Sequence, residues 1–78
     1  MATALKQRSL NEIESGRSVV INEILGEDAA IKQLRNMGMM KGCMVKILNK
    51  AHAVLIEIGN TRIGLSMDMT RSILVREI

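Results

Sequence analysis

The sequence predicts a mainly β domain, a small barrel of about five short strands with short helices, one of which follows the first strand. Three observations predict it. Between Leu34 and Ile47 a helix-ending glycine, a four-residue turn and an alternating strand succeed one another without a gap. Val45 and Ile47, Val54–Ile58 and Thr61–Leu65 are apolar strand segments set apart by Ala51-His52 and Gly59-Asn60, the spacing of a meander. Ala30, Ile31, Leu34 and Met37 recur at i, i+1, i+4 and i+7, a spacing that keeps them on one helix face.

Residues 1–8 lack periodicity and are expected to be a flexible terminus, which leaves residues 9–78 as one domain. Ser9 is placed to cap a short helical turn that carries Leu10 and Ile13 inward, and Gly16 ends that turn. Arg17 to Leu25 is rich in β-branched side chains and reads as the first strand. Within it Val19 and Ile21 alternate before the spacing slips to Ile24, which predicts a bulge near Asn22 and Glu23. Gly26 supplies a turn, and Glu27 and Asp28 bring acidic groups to the start of the helix. The outer helix face is Lys32, Gln33, Arg35 and Asn36. Gly38 falls where a left-handed residue closes a helix, and Lys41-Gly42 forms a second turn.

A strand of alternating type follows through Val45 and Ile47, then the two further strands of the meander. Ser66 is placed to cap a single turn through Met69, and Ile73-Leu74-Val75 closes the chain. This order of elements suits an SH3-like barrel.

A chain of 78 residues buries only roughly 60% of the surface its unfolded state exposes, so little interior is left for an enclosed active site. The chain has no Phe, Tyr, Trp or Pro but seven Met, and its core must be filled by Ile, Leu, Val and flexible thioethers. The net charge is +3, yet the 11 basic residues are spread from Lys6 to Arg76 with carboxylates between them, a pattern of ordinary solvation. One cysteine cannot form an internal disulfide. No apolar run approaches the roughly 18 residues of a membrane span, and none follows a basic segment as in a signal peptide; the expected compartment is the cytoplasm.

The pattern Leu34-x-x-Met37-Gly38-Met39-x-x-Gly42-x-x-Val45-x-Ile47 resembles the FeoA family, the ferrous iron transport protein A. The resemblance runs from about Leu10 to Val75 and includes Gly16, Ile21, Ile58, Ile63, Leu65 and Ile73. The sequence departs from common members in carrying Met at two positions where Leu is frequent and in lacking a proline in the opening turn. The resemblance implies an SH3-like, FeoA-type domain over residues 9–78. It also implies a cytosolic, non-enzymatic accessory protein that works with the ferrous iron transporter FeoB, with no transport or nucleotide chemistry of its own and no cofactor. The same fold family also forms a regulatory domain of iron- or manganese-dependent repressors; a start at Met1 favours the accessory protein over an excised domain.

Cys43 and His52 are the strongest metal ligands in the sequence, but two ligands on different turns do not make a site, and no metal residue is assigned. The methionines Met37, Met39, Met40, Met44, Met67 and Met69 suit a soft cuprous ion better than ferrous iron; core filling is the expected role of Met37, and a partner surface that of Met39 or Met40. RNA binding is the alternative from another class. It lacks the rings on which single-stranded bases stack, a contribution of roughly 1–3 kcal/mol per base, and proline-rich peptides likewise need an aromatic groove. For catalysis there is no phosphate loop and no nucleophile constellation, and the acids Glu12, Glu14, Glu27 and Asp28 suit helix starts. Arg35 or Arg17 could serve as an arginine finger toward the transporter's nucleotide domain, against the simpler role of a solvated face.

The expected partner surface is the helix and turn from Leu34 to Gly42. In it Leu34 and Met37 anchor the helix from inside, Gly38 and Gly42 set the turn, and Met39, Met40 and Lys41 point outward beside Arg35. The expected partner is the cytosolic part of FeoB, with the membrane reached only through the transporter and no nucleic acid bound. Weak self-association through exposed barrel edges and methionines is a further expectation.

Overall fold

Strand pairing builds a single antiparallel sheet in the order Arg8–Ser9, Ile73–Glu77, Ser18–Ile24, Met44–Lys50, Ala53–Ile58, Thr61–Ser66. The computed structural model describes residues 7–27 and 29–77. Among them the strands are β1 (Arg8–Ser9), β2 (Ser18–Ile24), β3 (Met44–Lys50), β4 (Ala53–Ile58), β5 (Thr61–Ser66) and β6 (Ile73–Glu77). A 3₁₀ turn, Leu10–Glu12, follows β1; α1 (Ala29–Asn36) links β2 to β3, and α2 (Met67–Arg71) links β5 to β6. This is the barrel-like, mainly β architecture expected, although the hydrogen-bonded sheet is not closed.

One strand was not expected. Arg8, assigned to the flexible terminus, pairs with Val75, and Ser9 pairs with Leu74; residues 1–6 lie outside the described residues. A two-residue strand has no periodicity to reveal it, and only its partner β6 defines it. Ser9 stands at the N-terminus of the 3₁₀ turn but makes no cap; its hydroxyl donates to Asn11 Oδ1 at 2.6 Å. Leu10 and Ile13 are buried as expected. Asp28, expected at the start of α1, lies outside the described residues.

The bulge is where the slipped alternation places it. Ile21 pairs with Val75 and Glu23 with Leu74, so Asn22 is the extra residue. The β4–β5 hairpin closes through Gly59-Asn60 between the paired Ile58 and Thr61. Gly59 has φ +58°, while no non-glycine residue among those described has positive φ. Glycine alone in the first loop position is the signature of a type II′ turn, whose twist matches that of the flanking strands. Ser66 caps α2 by accepting from the Met69 N–H at 3.2 Å.

The core is aliphatic. Val19, Ile21, Val45, Ile47, Val54, Ile56, Ile73 and Val75 are fully buried and alternate along their strands, Leu10 of the 3₁₀ turn is buried with them, and Met39 is the one methionine among the buried residues described. Met67 and Met69 pack partly against this cluster. Stiff β-branched side chains therefore do most of the filling that aromatic rings do in other small barrels.

Lys50 fastens one end of the barrel. Its ammonium donates to the carbonyls of Asn11 (2.6 Å) and Ile13 (2.9 Å), tying the 3₁₀ turn to the end of β3. Hydrogen bonds from a charged donor contribute about 1.5–3 kcal/mol each when well made. Part of this is offset by solvent at a half-buried site, so Lys50→Met should destabilise the domain by about 1–3 kcal/mol. Thermal unfolding followed by far-ultraviolet circular dichroism checks this, and an unchanged midpoint would show that the turn is held by Leu10 and Ile13 alone.

Candidate partner-binding site

Helix α1 ends in a Schellman motif. The Met39 N–H donates to the Leu34 carbonyl and the Gly38 N–H to the Arg35 carbonyl, each at 3.1 Å, the paired 6→1 and 5→2 bonds of that motif. Gly38 is its left-handed residue, with φ +100°. A type II turn follows over Met40–Cys43: Cys43 N–H donates to the Met40 carbonyl at 3.1 Å, and Gly42 has φ +93°. The Cys43 thiol also donates to the Gly38 carbonyl at 3.3 Å. The two glycine turns are as expected from the sequence.

The orientation of the methionines is not. Met39 is fully buried, whereas Met37 is 44% exposed. The Schellman motif gives the reason, because it brings the residue after the left-handed glycine back over the helix position five residues earlier. Met39 accordingly joins Leu34 in the core, and Met37, the first residue beyond α1, is turned aside. Leu34 is buried as expected. Of the candidate contact residues, Arg35, Met37, Met40 and Lys41 face solvent and Leu34 and Met39 do not.

The exposed candidates divide between two concavities. Arg35, Met40 and Lys41 border a groove of about 500 Å³ whose other wall is Asn22, Glu23 and Ile24 of the β2 bulge, with Met39 beneath. Met37 lies in a smaller, mostly apolar depression of about 240 Å³ between α1 and β5, with Ala30, Ile63 and Met69. Asn22, Glu23 and Ile24 were not among the sequence candidates; the slipped alternation that marks the bulge was the signal that could have found them.

Arg17 and Arg35 differ in their engagements. Arg17 and Arg8 both bind the Glu77 carboxylate, Arg8 Nη1 at 2.9 Å, and Arg17 also lies 3.9 Å from Glu14. Arg35 makes no ion pair among the described residues. Cys43 is half-buried on the turn before β3, and His52 is exposed between β3 and β4. No group of three or more His, Cys, Asp or Glu among the described residues is arranged to hold a metal ion.

A model of the FeoA domain family matches residues 8–77 of this chain. The chain belongs to the FeoA family. Solved FeoA structures share its fold: an iron uptake regulatory protein (FeoA) at 24% identity and TM-score 0.83, covering 95% of this chain and all of the other, and a Clostridium acetobutylicum FeoA-like protein, also at 24% and 0.83, covering 94% and 88%. Stenotrophomonas maltophilia FeoA, crystallised with zinc, is 25% identical at TM-score 0.79 and covers 87% of this chain and 88% of its own. That protein is described as a procaryotic SH3 domain protein and put forward as a ferrous iron transport activating factor.

The fold of this FeoA-family chain also recurs within a longer protein: T. acidophilum IdeR matches at TM-score 0.86 and 17% identity, over 97% of this chain but 36% of IdeR. No curated protein matches the chain significantly. No helix among the described residues is long and apolar enough to cross a membrane.

Proposed function

We propose that this FeoA-family chain is a cytosolic, non-enzymatic accessory protein of bacterial ferrous iron uptake that acts by contact with the cytosolic part of the FeoB transporter. The observation that carries the proposal is the exposure of Met40, 58% of its surface, beside Arg35 and Lys41 on a turn fixed by two left-handed glycines. An unbranched thioether held out in solvent has no folding role to explain it, and such side chains adapt readily to a partner's surface. The family assignment and the role put forward for the S. maltophilia relative support the same reading. The contact would modulate or assemble the transporter without covalent chemistry in this chain.

Titrating isotope-labelled protein with the soluble nucleotide-binding domain of FeoB tests this. Amide shifts confined to the α1–β3 turn and the β2 bulge are expected, and Met40→Asp should weaken binding at least several-fold while leaving the thermal midpoint nearly unchanged, as for other exposed substitutions. Undiminished binding by Met40→Asp would sink this surface as the contact site.

A further inference from the structure

We infer that the groove between the β2 bulge and the α1–β3 turn receives an extended, acidic segment of the partner protein. In this arrangement an apolar side chain of the segment lies against Ile24 and Met40, and its carboxylates lie beside Arg35 and Lys41. The inference rests on the reading of this surface as a partner site and specifies the chemistry of what binds there.

The first support is a missing strand position. β3 pairs with β2 only as far as Ile21, where Ile21 N–H donates to the Cys43 carbonyl at 2.9 Å and its own carbonyl accepts from Gly42 N–H at 2.7 Å. Before Cys43 the chain turns away through Gly42 toward the helix. On the opposite side β6 stays paired to β2 through Ile24. Asn22–Ile24 therefore keep one strand neighbour and lose the other, and the groove of about 500 Å³ lies along that open flank. An unpaired stretch of extended backbone beside an apolar floor is the geometry into which an extended peptide adds.

The second support is charge. Most arginines elsewhere are already engaged: Arg8 and Arg17 with Glu77, Arg62 with Glu57, Arg71 with Asp68. Lys50 is committed to two carbonyls. Arg35 and Lys41 make no ion pair among the described residues, although both border the groove with Glu23. Two free cations against one carboxylate, over Ile24 and Met39, complement a segment that alternates acidic and apolar side chains. Nucleic acid is a poorer occupant, because the chain contains no Phe, Tyr or Trp on which a base could stack.

Two probes test the inference on the full chain. The first is a synthetic peptide, acetyl-Glu-Val-Asp-Leu-Glu-amide, with its uncharged analogue acetyl-Gln-Val-Asn-Leu-Gln-amide. The acidic peptide should shift the amides of Asn22–Ile24 and Met40–Cys43 saturably, with the uncharged analogue and the variant Arg35→Glu/Lys41→Glu each weakening binding roughly tenfold. Equal binding of both peptides, shifts elsewhere, or no saturable shift overturns the inference. The second probe is the FeoB nucleotide-binding domain: if it binds wild type and the double variant equally, the acidic-segment inference fails while the transporter reading stands. If the acidic peptide fills the groove and the FeoB domain does not bind at all, the transporter reading fails and the groove chemistry stands.

Discussion

Met39→Ala should destabilise the domain by about 2–5 kcal/mol, the usual loss for truncating a fully buried long side chain, whereas Met37→Ala should cost under about 1 kcal/mol. Met39 has no exposed surface, and Met37 leaves 44% of its surface in solvent. A domain of 78 residues has a total stability on the order of 4–12 kcal/mol, so the Met39 variant should lose a substantial fraction of it. Each kcal/mol moves the midpoint by roughly 4–8 °C in a chain of this size, so the two variants should separate by at least about 4 °C on that scale. Thermal melts of both, followed by far-ultraviolet circular dichroism, give the comparison. Equal losses would mean that the chain reverses after Gly38 in some way other than the Schellman motif.

Gly38→Val should destabilise by about 1–3 kcal/mol through the backbone alone, the cost of holding a β-branched residue in a sparsely populated conformation. A Cβ added at Gly38 meets nothing within 4 Å, yet φ there is +100°, so the penalty is conformational and not a collision. Gly38→Asn should be milder, because Asn enters the left-handed region more readily. The same thermal melts provide the test, and a valine variant as stable as wild type would show that the turn can rebuild with negative φ. Partner binding should fall further than stability in the valine variant, since Gly38 aims the loop that carries Met40 and Lys41.

Much of the fold was legible because local patterns agreed with the global one. The alternation in Val19–Ile21, Val45–Ile47 and Val54–Ile56 marks the faces that are buried, the slip at Asn22 marks the bulge, and Gly59-Asn60 and Ser66 mark a hairpin and a cap through their own backbone chemistry. The family, too, was legible in the spacing of Leu34, Met37, Gly38 and Gly42, as the FeoA match over residues 8–77 bears out. The two-residue strand β1 was not legible, because two residues carry no period and Arg8 is a strand residue only by pairing with Val75.

The candidate site was half legible. The sequence by itself determined that a glycine-closed helix and a glycine turn lie between two strands, because positive φ at Gly38 and Gly42 is a local demand. Helical spacing extrapolated through Met37 pointed the wrong methionine inward, since a period of 3.6 residues holds only while the helix lasts and the Schellman reversal begins there. Only the tertiary structure decided that Met37 and Met40 open onto different concavities and that the β2 bulge lies across from Arg35 and Lys41. Those relations join residues far apart in the chain through a shared core, and no local pattern encodes which surfaces the packing of that core leaves facing one another.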